Sequence, residues 1–338
     1  MKAAVFHGPY SIAVEDVPVP EPKPGQVLVR VRDCGICGSD VAAYKTGMYE
    51  DGLIIGHEFA GEIAEVGEGV RGWQVGDRVT CNDVIPCGSC WFCHHNLPSQ
   101  CEEMVMPGVS HPGACAEYAV VPAAGLFHLP DHVPFRRGAL VEPLANALHA
   151  VRLSGLRVGD QVLILGAGPI GLCTLLAARL AGASHTFVTE ISPTRAGVAA
   201  QLGADAVLDP TTTNLFSRLD ELTHGHGVDI VFECAGVPQT LQDAITLVRK
   251  GGMIFVIALC ESPVETDFMT VAMNELTIRG SYCGHEEFAI SLDLVAQGRA
   301  NVDPLVSHVV GIDDIVTQGF EALVRPSTQA VKVLVEFP

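Results

Sequence analysis

A glycine-rich hexapeptide, Gly166-Ala-Gly-Pro-Ile-Gly171, constrains the fold of this 338-residue chain more than any other segment. It follows the apolar run Val162–Leu165 and opens a helical pattern, so it links a strand to a helix. In such a unit Gly166 makes the tight turn, Gly168 lets the backbone approach a pyrophosphate, and Gly171 lets the helix pack close to the strand. The pattern predicts a dinucleotide site at the helix N-terminus. Its predicted contact residues are Gly166, Gly168, Pro169, Ile170 and Gly171.

The segment from about Gly159 onward alternates short apolar runs with helical stretches. The runs are Val162–Leu165, Thr186–Thr189, Ala206–Leu208, Asp229–Phe232 and Met253–Ala258. Helices are predicted over Pro169–Leu180, Pro193–Leu202 and Thr240–Val248. This alternation is typical of a doubly wound α/β fold, in which a parallel sheet is wrapped by helices.

The first 143 residues have a different pattern, rich in Gly, Pro and short β-branched runs. Three of these runs nearly alternate in polarity: Val27–Val31, Gly61–Val66 and Ala116–Val121. Such runs predict an antiparallel β domain with long loops. Mixed character returns after about Tyr282, so we expect residues 1–143 and 283–338 to form one domain and residues 144–282 the other.

Composition limits the partners and the compartment. With 20 Lys and Arg against 39 Asp and Glu, the formal charge is −19, which disfavours nucleic acid and anionic membranes as partners. No apolar run is long enough for a signal peptide or a membrane span. The twelve cysteines are therefore expected in a reducing, cytoplasmic compartment, as metal ligands, nucleophiles or core residues. Cys34, Cys115, Cys173 and Cys260 lie in apolar runs and are predicted to be core.

The cofactor choice is indicated by Glu190, 24 residues after Gly166 at the end of the next apolar run. A carboxylate there accepts the ribose hydroxyls of NAD and repels the 2′-phosphate of NADP. Arg195 is assigned to the same site, where it either counters Glu190 and admits NADP or lies flat on the adenine. The alternative is a plain strand-to-helix turn followed by a solvated glutamate. The sequence favours NAD.

A compact zinc site is predicted by four cysteines, Cys87, Cys90, Cys93 and Cys101, within one stretch of fifteen residues. Four thiolates close a tetrahedral shell around zinc, so this site would hold a loop in place and perform no chemistry. Two disulfides, a chance cluster or a [4Fe-4S] cluster are the alternatives. The neighbouring His94 and His95 are interpreted as solvated side chains.

A second metal site is predicted from dispersed residues: Cys37, His57, Glu58 and Glu142. One thiolate, one imidazole and two carboxylates suit a catalytic zinc that keeps an exchangeable position. His57 and Glu58 are adjacent, and Gly56 gives the backbone the freedom to aim both at one metal. Asp40 is the expected hydrogen-bond acceptor for the His57 ring. Any one of these residues taken alone is better explained as an ordinary core or surface residue, such as a core cysteine or a surface glutamate, and only the set indicates a metal site.

The motifs GHE, CxxCxxCx7C, EPLANALHA and GAGPIG occur in this order along the whole chain. In this respect the sequence resembles the zinc-dependent medium-chain alcohol dehydrogenases, and most closely their polyol branch of sorbitol, 2,3-butanediol and threonine dehydrogenases. The resemblance implies a Rossmann domain, a β-rich GroES-like catalytic domain and two zinc ions per chain. It also implies oxidation of a secondary alcohol of a polyol, diol or cyclitol, with hydride transfer to NAD.

The resemblance also assigns roles to single residues. Cys37, His57 and either Glu58 or Glu142 would bind the catalytic zinc, and the two glutamates would alternate as ligand and water partner. Ser39 matches the hydroxyl residue that carries the substrate proton away. Two departures concern the substrate and the proton path: Ala42 stands where many relatives have the next relay residue, and Ser281 stands where sorbitol dehydrogenases have an arginine.

These departures predict a roomier and less cationic pocket than a sorbitol site. We therefore expect vicinal diols or a cyclic or short polyol as substrate. Three other functions stay open: a threonine-type amino-alcohol dehydrogenase, a zinc hydrolase and a non-catalytic relative. The predicted strand Thr277–Tyr282 presents an edge that would pair with a second copy, which predicts a homodimer or homotetramer.

Overall fold

The computed structural model describes residues 1–260, 262–325 and 329–338, and it divides into two compact units. Unit 1 comprises Met1–Glu142, Phe288–Gly298 and Val306–Pro338, and unit 2 comprises Pro143–Glu287 and Arg299–Leu305. The sequence-based division placed the whole of 283–338 with the N-terminal segment. In the structure residues 283–287 and 299–305 group with unit 2 instead.

The strands of the described residues run in chain order as follows: β1 Lys2–Gly8, β2 Ser11–Asp16, β3 Gln26–Gly35, β4 Leu53–Ile54, β5 Glu58–Val66, β6 Arg78–Cys81, β7 Tyr118–Pro122, β8 Leu126–His128, β9 Gln161–Leu165, β10 His185–Thr189, β11 Ala206–Leu208, β12 Val228–Glu233, β13 Val248–Val256, β14 Thr277–Gly280, β15 Val306–Gly311 and β16 Lys332–Glu336.

The α-helices are α1 Gly38–Thr46, α2 Trp91–His94, α3 Phe135–Ala139, α4 Val141–Ser154, α5 Pro169–Ala181, α6 Pro193–Gln201, α7 Leu215–Leu222, α8 Pro238–Leu247, α9 Phe268–Met273, α10 Glu287–Ala296 and α11 Glu321–Val324. Within the described residues no helix is long and apolar enough to cross a membrane.

Unit 1 contains a seven-stranded sheet in which β15, β16, β3, β5, β6 and β8 follow one another and β7 also pairs with β3. A three-stranded sheet, β2-β1-β4, accompanies it. The predicted antiparallel character is confirmed for all of these pairs except β15 with β16, which are parallel. Alternate residues of β3, Val27, Val29 and Val31, are fully buried in the core because successive side chains of a strand point to opposite faces.

Unit 2 contains a six-stranded sheet in the order β11-β10-β9-β12-β13-β14, and all of its neighbouring pairs are parallel. The prediction of a parallel sheet is confirmed. The strand order reverses between β9 and β12, and in doubly wound sheets ligands bind beyond the carboxyl ends of the strands at that point. Gly166 directly follows β9, so the glycine motif lies at this reversal.

Two predicted boundaries in unit 2 were wrong. Helix α8 begins at Pro238 rather than Thr240, because proline is well suited to the first helical turn. Strand β13 begins at Val248, directly after α8, and ends at Val256, whereas the predicted run was Met253–Ala258. Gly251 and Gly252 interrupt the apolar pattern, so the first half of this strand could not be recognised from the sequence.

Candidate functional site

Cys37, His57 and Glu58 come together in unit 1. Cys37 lies between β3 and α1, and the other two residues lie at the start of β5. The Cys37 Sγ atom, one ring nitrogen of His57 and one carboxylate oxygen of Glu58 lie within 4.8 Å of one another. A thiolate, an imidazole and a carboxylate in this arrangement match the donor set of a zinc ion with an open coordination position.

The conformation of the loop before β5 allows the adjacent residues His57 and Glu58 to direct their side chains to the same candidate metal position. Gly56 has φ +96°, a left-handed conformation that side-chain-bearing residues rarely adopt. A Cβ atom at this position would also overlap the thiols of Cys34 and Cys115, which are fully buried and 3.5 Å apart. Both observations require glycine at this position.

Asp40 organises the start of α1. Its Oδ2 atom accepts a hydrogen bond from the backbone N–H of Cys37 at 3.0 Å. Its Oδ1 atom lies 3.8 Å from Nδ1 of His57, which is longer than a hydrogen bond, so the predicted contact with the His57 ring is an electrostatic one. Burial raises the pKa of Asp40.

His57 is almost fully buried among acidic groups. Burial lowers its pKa, but the charges of Cys37, Asp40 and Glu142 and a hydrogen bond with Cys37 together outweigh burial, so the net pKa lies well above the ordinary value. In the protein alone a proton on the ring would offset this negative charge. A bound metal cation would do the same, and the charge balance therefore fits a cation at this position.

Lys332, which the sequence analysis missed, forms a buried ion pair with Glu58. Its Nζ atom lies 2.6 and 2.7 Å from the two carboxylate oxygens and donates to the carbonyl oxygen of Ile36 at 3.0 Å. Burial lowers the pKa of Lys332, but the charges of Glu58, Cys37 and Glu142, together with the hydrogen bond to Glu58, raise it by more. The lysine is therefore charged and neutralises the glutamate inside the core.

The sheet register makes this ion pair possible. Strand β3 lies between β16, which begins at Lys332, and β5, which begins at Glu58. Gly35 of β3 is the register partner of Glu58, and a Cβ atom at Gly35 would overlap the Glu58 carboxylate. Glycine thus leaves the space through which the lysine reaches across the strand. The visible signal was a lysine inside the apolar segment AVKVLV.

Glu142, in the first turn of α4, is buried but lies outside the group of three ligand atoms. Burial and the charge of Asp83 raise its pKa well above the ordinary value. Asp83 is also buried, its pKa is raised by burial, and it shares a hydrogen bond with Glu142. The two glutamates therefore have different partners, Lys332 for Glu58 and a second carboxyl group for Glu142.

Ser39 lies in the first turn of α1 and is partly exposed. The hydroxyl of Tyr49 lies 3.3 Å from its Oγ atom and 3.3 Å from Oδ1 of Asp40. Ser39 therefore sits two residues from Cys37 with one side of its hydroxyl engaged by a buried tyrosine.

The four cysteines of the predicted compact zinc site, Cys87, Cys90, Cys93 and Cys101, also come together. This segment is called the cysteine lobe. The four Sγ atoms all lie within 4.8 Å of one another, with closest pairs at 3.5, 3.9 and 4.0 Å. A tetrahedron with zinc–sulfur bonds of about 2.3 Å has sulfur–sulfur edges of about 3.8 Å, whereas a disulfide requires about 2.05 Å. All twelve cysteines fall within the described residues and all carry free thiols.

Backbone groups of the lobe prepare one thiol for metal binding. Hydrogen bonds from the hydroxyl and the N–H of Ser89, and from the N–H of Cys90, lower the pKa of Cys87 to about 6. Burial and the neighbouring Cys90 raise the pKa of Cys93 to about 12. The set is therefore not fully ionised without a cation, and a metal would complete its ionisation. His94 and His95 are exposed.

The glycine motif of unit 2 has the expected close packing. Gly166 has φ +96° and follows β9, and a Cβ atom at Gly171 would collide with the carbonyl oxygen of Gly166. Helix α5 begins at Pro169, followed by Ile170, and a Cβ atom at Gly168 would meet nothing within 4 Å. The backbone at Gly168 is thus open to a ligand at the helix N-terminus.

Glu190 is buried at the end of β10 and fixes the loop beside this motif. Its oxygens accept hydrogen bonds from the N–H groups of Ala167, Ile191 and Ser192 at 2.8–2.9 Å. A carboxylate has about four lone-pair sites, so acceptor capacity remains for ribose hydroxyls. The backbone N–H of Arg195, in the first turn of α6, lies 3.5 Å from Ser192 Oγ.

Another buried carboxylate, at Glu233, was missed by the sequence analysis. It ends β12, the strand adjacent to β9, and one oxygen accepts hydrogen bonds from the N–H groups of Ala235 and Gly236 and from the Thr240 hydroxyl at 2.7–2.9 Å. It therefore fixes the conformation of the loop that follows β12 at the strand-order reversal.

The prediction that Cys260 belongs to the core was wrong. This residue is exposed beyond the end of β13.

Comparison with known proteins identifies the family. Residues 23–131 match the alcohol dehydrogenase GroES-like domain, and residues 169–297 match the zinc-binding dehydrogenase domain. The chain is 36% identical to (R,R)-butanediol dehydrogenase of Bacillus subtilis, with 99% of both chains covered. It is 35% identical to L-threonine 3-dehydrogenase of Rhizobium rhizogenes, with 96% of this chain and 95% of that one covered.

Solved structures agree with the sequence matches. A putative zinc-binding dehydrogenase from Sinorhizobium meliloti, bound to NADP, superposes with a TM-score of 0.92 at 33% identity and 99% coverage of both chains. The two domain matches and the full-length relatives confirm the fold class predicted from the sequence. The chain therefore belongs to the zinc-dependent medium-chain alcohol dehydrogenases, oxidoreductases that act on alcohols with zinc and a nicotinamide dinucleotide.

Proposed function

We propose that this chain oxidises a secondary hydroxyl of a vicinal diol, or of a cyclic or short polyol, and transfers the hydride to NAD. The observation that carries the proposal is the group of Cys37, buried His57 and buried Glu58, with Ser39 two residues after Cys37. This donor set leaves a metal position open to substrate. The full-length similarity to a butanediol dehydrogenase supports the diol class.

Each residue of the candidate metal site is assigned one role in this reaction. Cys37, His57 and Glu58 hold the catalytic zinc, and Glu142, paired with Asp83, provides an outer carboxyl group that the substrate or water can contact. When bound, zinc supplies the Lewis acid that lowers the pKa of the substrate hydroxyl, and NAD supplies the hydride acceptor. Lys332 keeps the Glu58 carboxylate neutralised and fixed in direction.

Ser39 relays the proton that the substrate hydroxyl loses: its oxygen accepts that proton while its own hydroxyl proton passes to a hydrogen-bonded neighbour, so the serine stays uncharged. The Ser39→Ala variant is expected to retain zinc and NAD while its kcat falls by about 10² to 10⁴. Metal analysis and cofactor titration accompany the rate measurement. An unchanged rate and pH profile would assign the proton to water or to another residue.

The nicotinamide cofactor is bound by unit 2. The backbone of Gly166, Gly168, Pro169, Ile170 and Gly171 receives the pyrophosphate. The side chain of Glu190 accepts the ribose hydroxyls, and Arg195 lies along the adenine. With this carboxylate at the 2′ position we expect NAD to be preferred over NADP by at least about tenfold in kcat/KM. Glu190→Ala should reduce the preference, and equal use of both cofactors by the unaltered protein would contradict the assignment.

The four cysteines Cys87, Cys90, Cys93 and Cys101 hold a second zinc ion, which has a structural role. We further propose a homodimer or homotetramer that associates through β14, an edge strand whose four residues are all exposed. A cytoplasmic location is proposed because the five cysteine ligands of the two sites must remain reduced. A monomer in sedimentation would exclude the assembly.

The second candidate is an amino-alcohol dehydrogenase of the threonine type. Relatives named L-threonine 3-dehydrogenase cover nearly the full chain, and the metal site buries Asp40, Glu58, Asp83 and Glu142 against one lysine. Such an acidic surrounding would favour a substrate that carries an ammonium group.

A substrate screen separates the two candidates. NAD reduction is measured as kcat/KM for vicinal diols, cyclitols, sorbitol, ethanol and L-threonine under one set of conditions. The proposal predicts the highest value for a vicinal diol, a cyclitol or a short polyol. A higher value for L-threonine would establish the second candidate, and a higher value for ethanol or sorbitol would exclude the proposed substrate class.

A further inference from the structure

Tyr49 connects two polar residues of the candidate metal site without itself belonging to the ligand group. It lies shortly after α1, where Gly47 turns the chain with φ +82°. The ring is buried and packs edge-on against Phe6, with 6.0 Å between ring centroids. Its hydroxyl is 3.3 Å from both Ser39 Oγ and Asp40 Oδ1.

The numbers of donors and acceptors on Ser39, Tyr49 and Asp40 determine which group donates in each hydrogen bond. A phenol has one proton and two lone pairs, whereas an aspartate carboxylate can only accept. When Tyr49 donates its proton to Asp40, its oxygen is left to accept the proton of Ser39. The lone pairs of the Ser39 oxygen then face away from the tyrosine, which is the orientation in which serine can accept a proton from a substrate hydroxyl.

Asp40 anchors this arrangement at its other end. Its second oxygen accepts the N–H of Cys37 at 3.0 Å, so the carboxylate is tied to the backbone at the position of a candidate ligand. In the described part of the chain, Tyr49 is the hydrogen-bond partner of the Ser39 hydroxyl. Removing the phenol would therefore remove this restriction on the Ser39 rotamer.

We propose that Tyr49 is a positioning residue that orients the Ser39 hydroxyl to receive the substrate proton. This inference rests on the proposed role of Ser39. Burial raises the pKa of Tyr49, so the phenol stays neutral and remains a hydrogen-bond donor throughout the working pH range. As Ser39 receives the substrate proton, its own hydroxyl proton moves to the Tyr49 oxygen and the phenol proton moves to Asp40, so Tyr49 acts through Ser39 without touching the substrate.

The test is a double-mutant cycle with Tyr49→Phe, Ser39→Ala and the combined variant. Phenylalanine keeps the ring that packs on Phe6 and removes only the hydroxyl. Tyr49→Phe is expected to lower kcat by about tenfold or more with little change in KM and to shift the pH–rate profile. In the Ser39→Ala background the same substitution is expected to change kcat by less than about twofold, because the hydroxyl that it orients is gone.

Readouts other than activity complete the experiment. Zinc content and thermal unfolding of Tyr49→Phe should match the unaltered protein, and its crystal structure should show the Ser39 side chain in more than one rotamer. Tyr44→Phe is the matched control, because Tyr44 is also buried in unit 1 but packs against Tyr10 and Phe320. Its kcat should be unchanged.

The outcomes separate this inference from the function on which it rests. If Ser39→Ala has full activity, the proposed role of Ser39 fails. If Ser39→Ala is impaired while Tyr49→Phe is not, the positioning role alone is overturned. An equal loss from Tyr49→Phe in both backgrounds would also overturn it, since the tyrosine would then act independently of Ser39.

Discussion

The two candidate metal sites of unit 1 differ in how their residues are gathered and how their charge is balanced. The cysteine lobe takes all its ligands from residues 87–101, and three of its four thiols are only partly buried. The mixed site draws on residues from Cys37 to Lys332 and buries a histidine and several carboxyl groups. A closed thiolate shell needs only local spacing, whereas an open site must be held by the surrounding fold.

This difference predicts that ligand loss will have opposite effects at the two sites. Cys37→Ala should lower kcat/KM by at least about 10³, because the Lewis acid contributes several kcal/mol to the transition state, and should leave the fold intact. Cys90→Ala should lower the thermal unfolding temperature and keep the remaining folded molecules active. Metal content, activity and unfolding are measured for both variants. Similar losses of activity at both sites would remove the distinction.

A second prediction concerns the buried lysine. Lys332→Met should lower the free energy of unfolding by about 3 kcal/mol, because it leaves the Glu58 carboxylate buried without a counter-ion. The matched control is Lys2→Met, which breaks a Lys–Asp313 pair of the same 2.6 Å length at the surface. That surface pair should contribute much less, because solvent screens it.

Chemical denaturation of the two lysine variants gives the comparison directly. Equal losses of unfolding free energy in the two variants would mean that burial does not determine how much an ion pair stabilises the fold. A Lys332→Met protein of normal stability would mean that Glu58 is neutralised in another way.

A third prediction uses Asp33, a buried carboxylate in β3 that, unlike Glu58, has no lysine partner among the described residues. Burial, with the charge of Glu336 on the adjacent strand, raises the pKa of Asp33 to about 7. The folded state therefore binds the proton more tightly than the unfolded state, and stability falls as pH rises from about 4 through 7. Asp33→Asn should be more stable than the unaltered protein above pH 7, by about 1 kcal/mol or more.

Denaturation across this pH range tests the third prediction. The gain from Asp33→Asn should disappear toward pH 4, and Glu336→Gln should give a smaller gain with the same pH dependence. A constant difference at every pH would show that titration of Asp33 is not its cause.

The parts of the molecule that could be predicted from the sequence are those with short-range patterns. The parallel strands after Gly159 were visible as apolar runs, and the cysteine lobe was visible as a spacing. Gly171 could be assigned a packing role because the motif states which backbone atoms must approach each other.

The missed residues are placed by tertiary structure and not by a local sequence pattern. Lys332 is 274 residues from Glu58, and their contact depends on the register of three strands. Tyr49 and Asp83 have no periodic neighbours that mark them, since each lies in a loop whose course is set by tertiary packing. A charged residue in an apolar strand was the one available signal, and Lys332 carried it.

Metal release under a chelator, followed together with activity, tests the difference between the two sites most directly. The untreated enzyme is expected to contain two zinc ions per chain. The first ion released should leave the mixed site and abolish turnover while the second ion and the fold remain, because a closed thiolate shell resists chelation better than an open site. An active, untreated protein with one zinc or none, or full turnover after the first ion has left, would contradict this account.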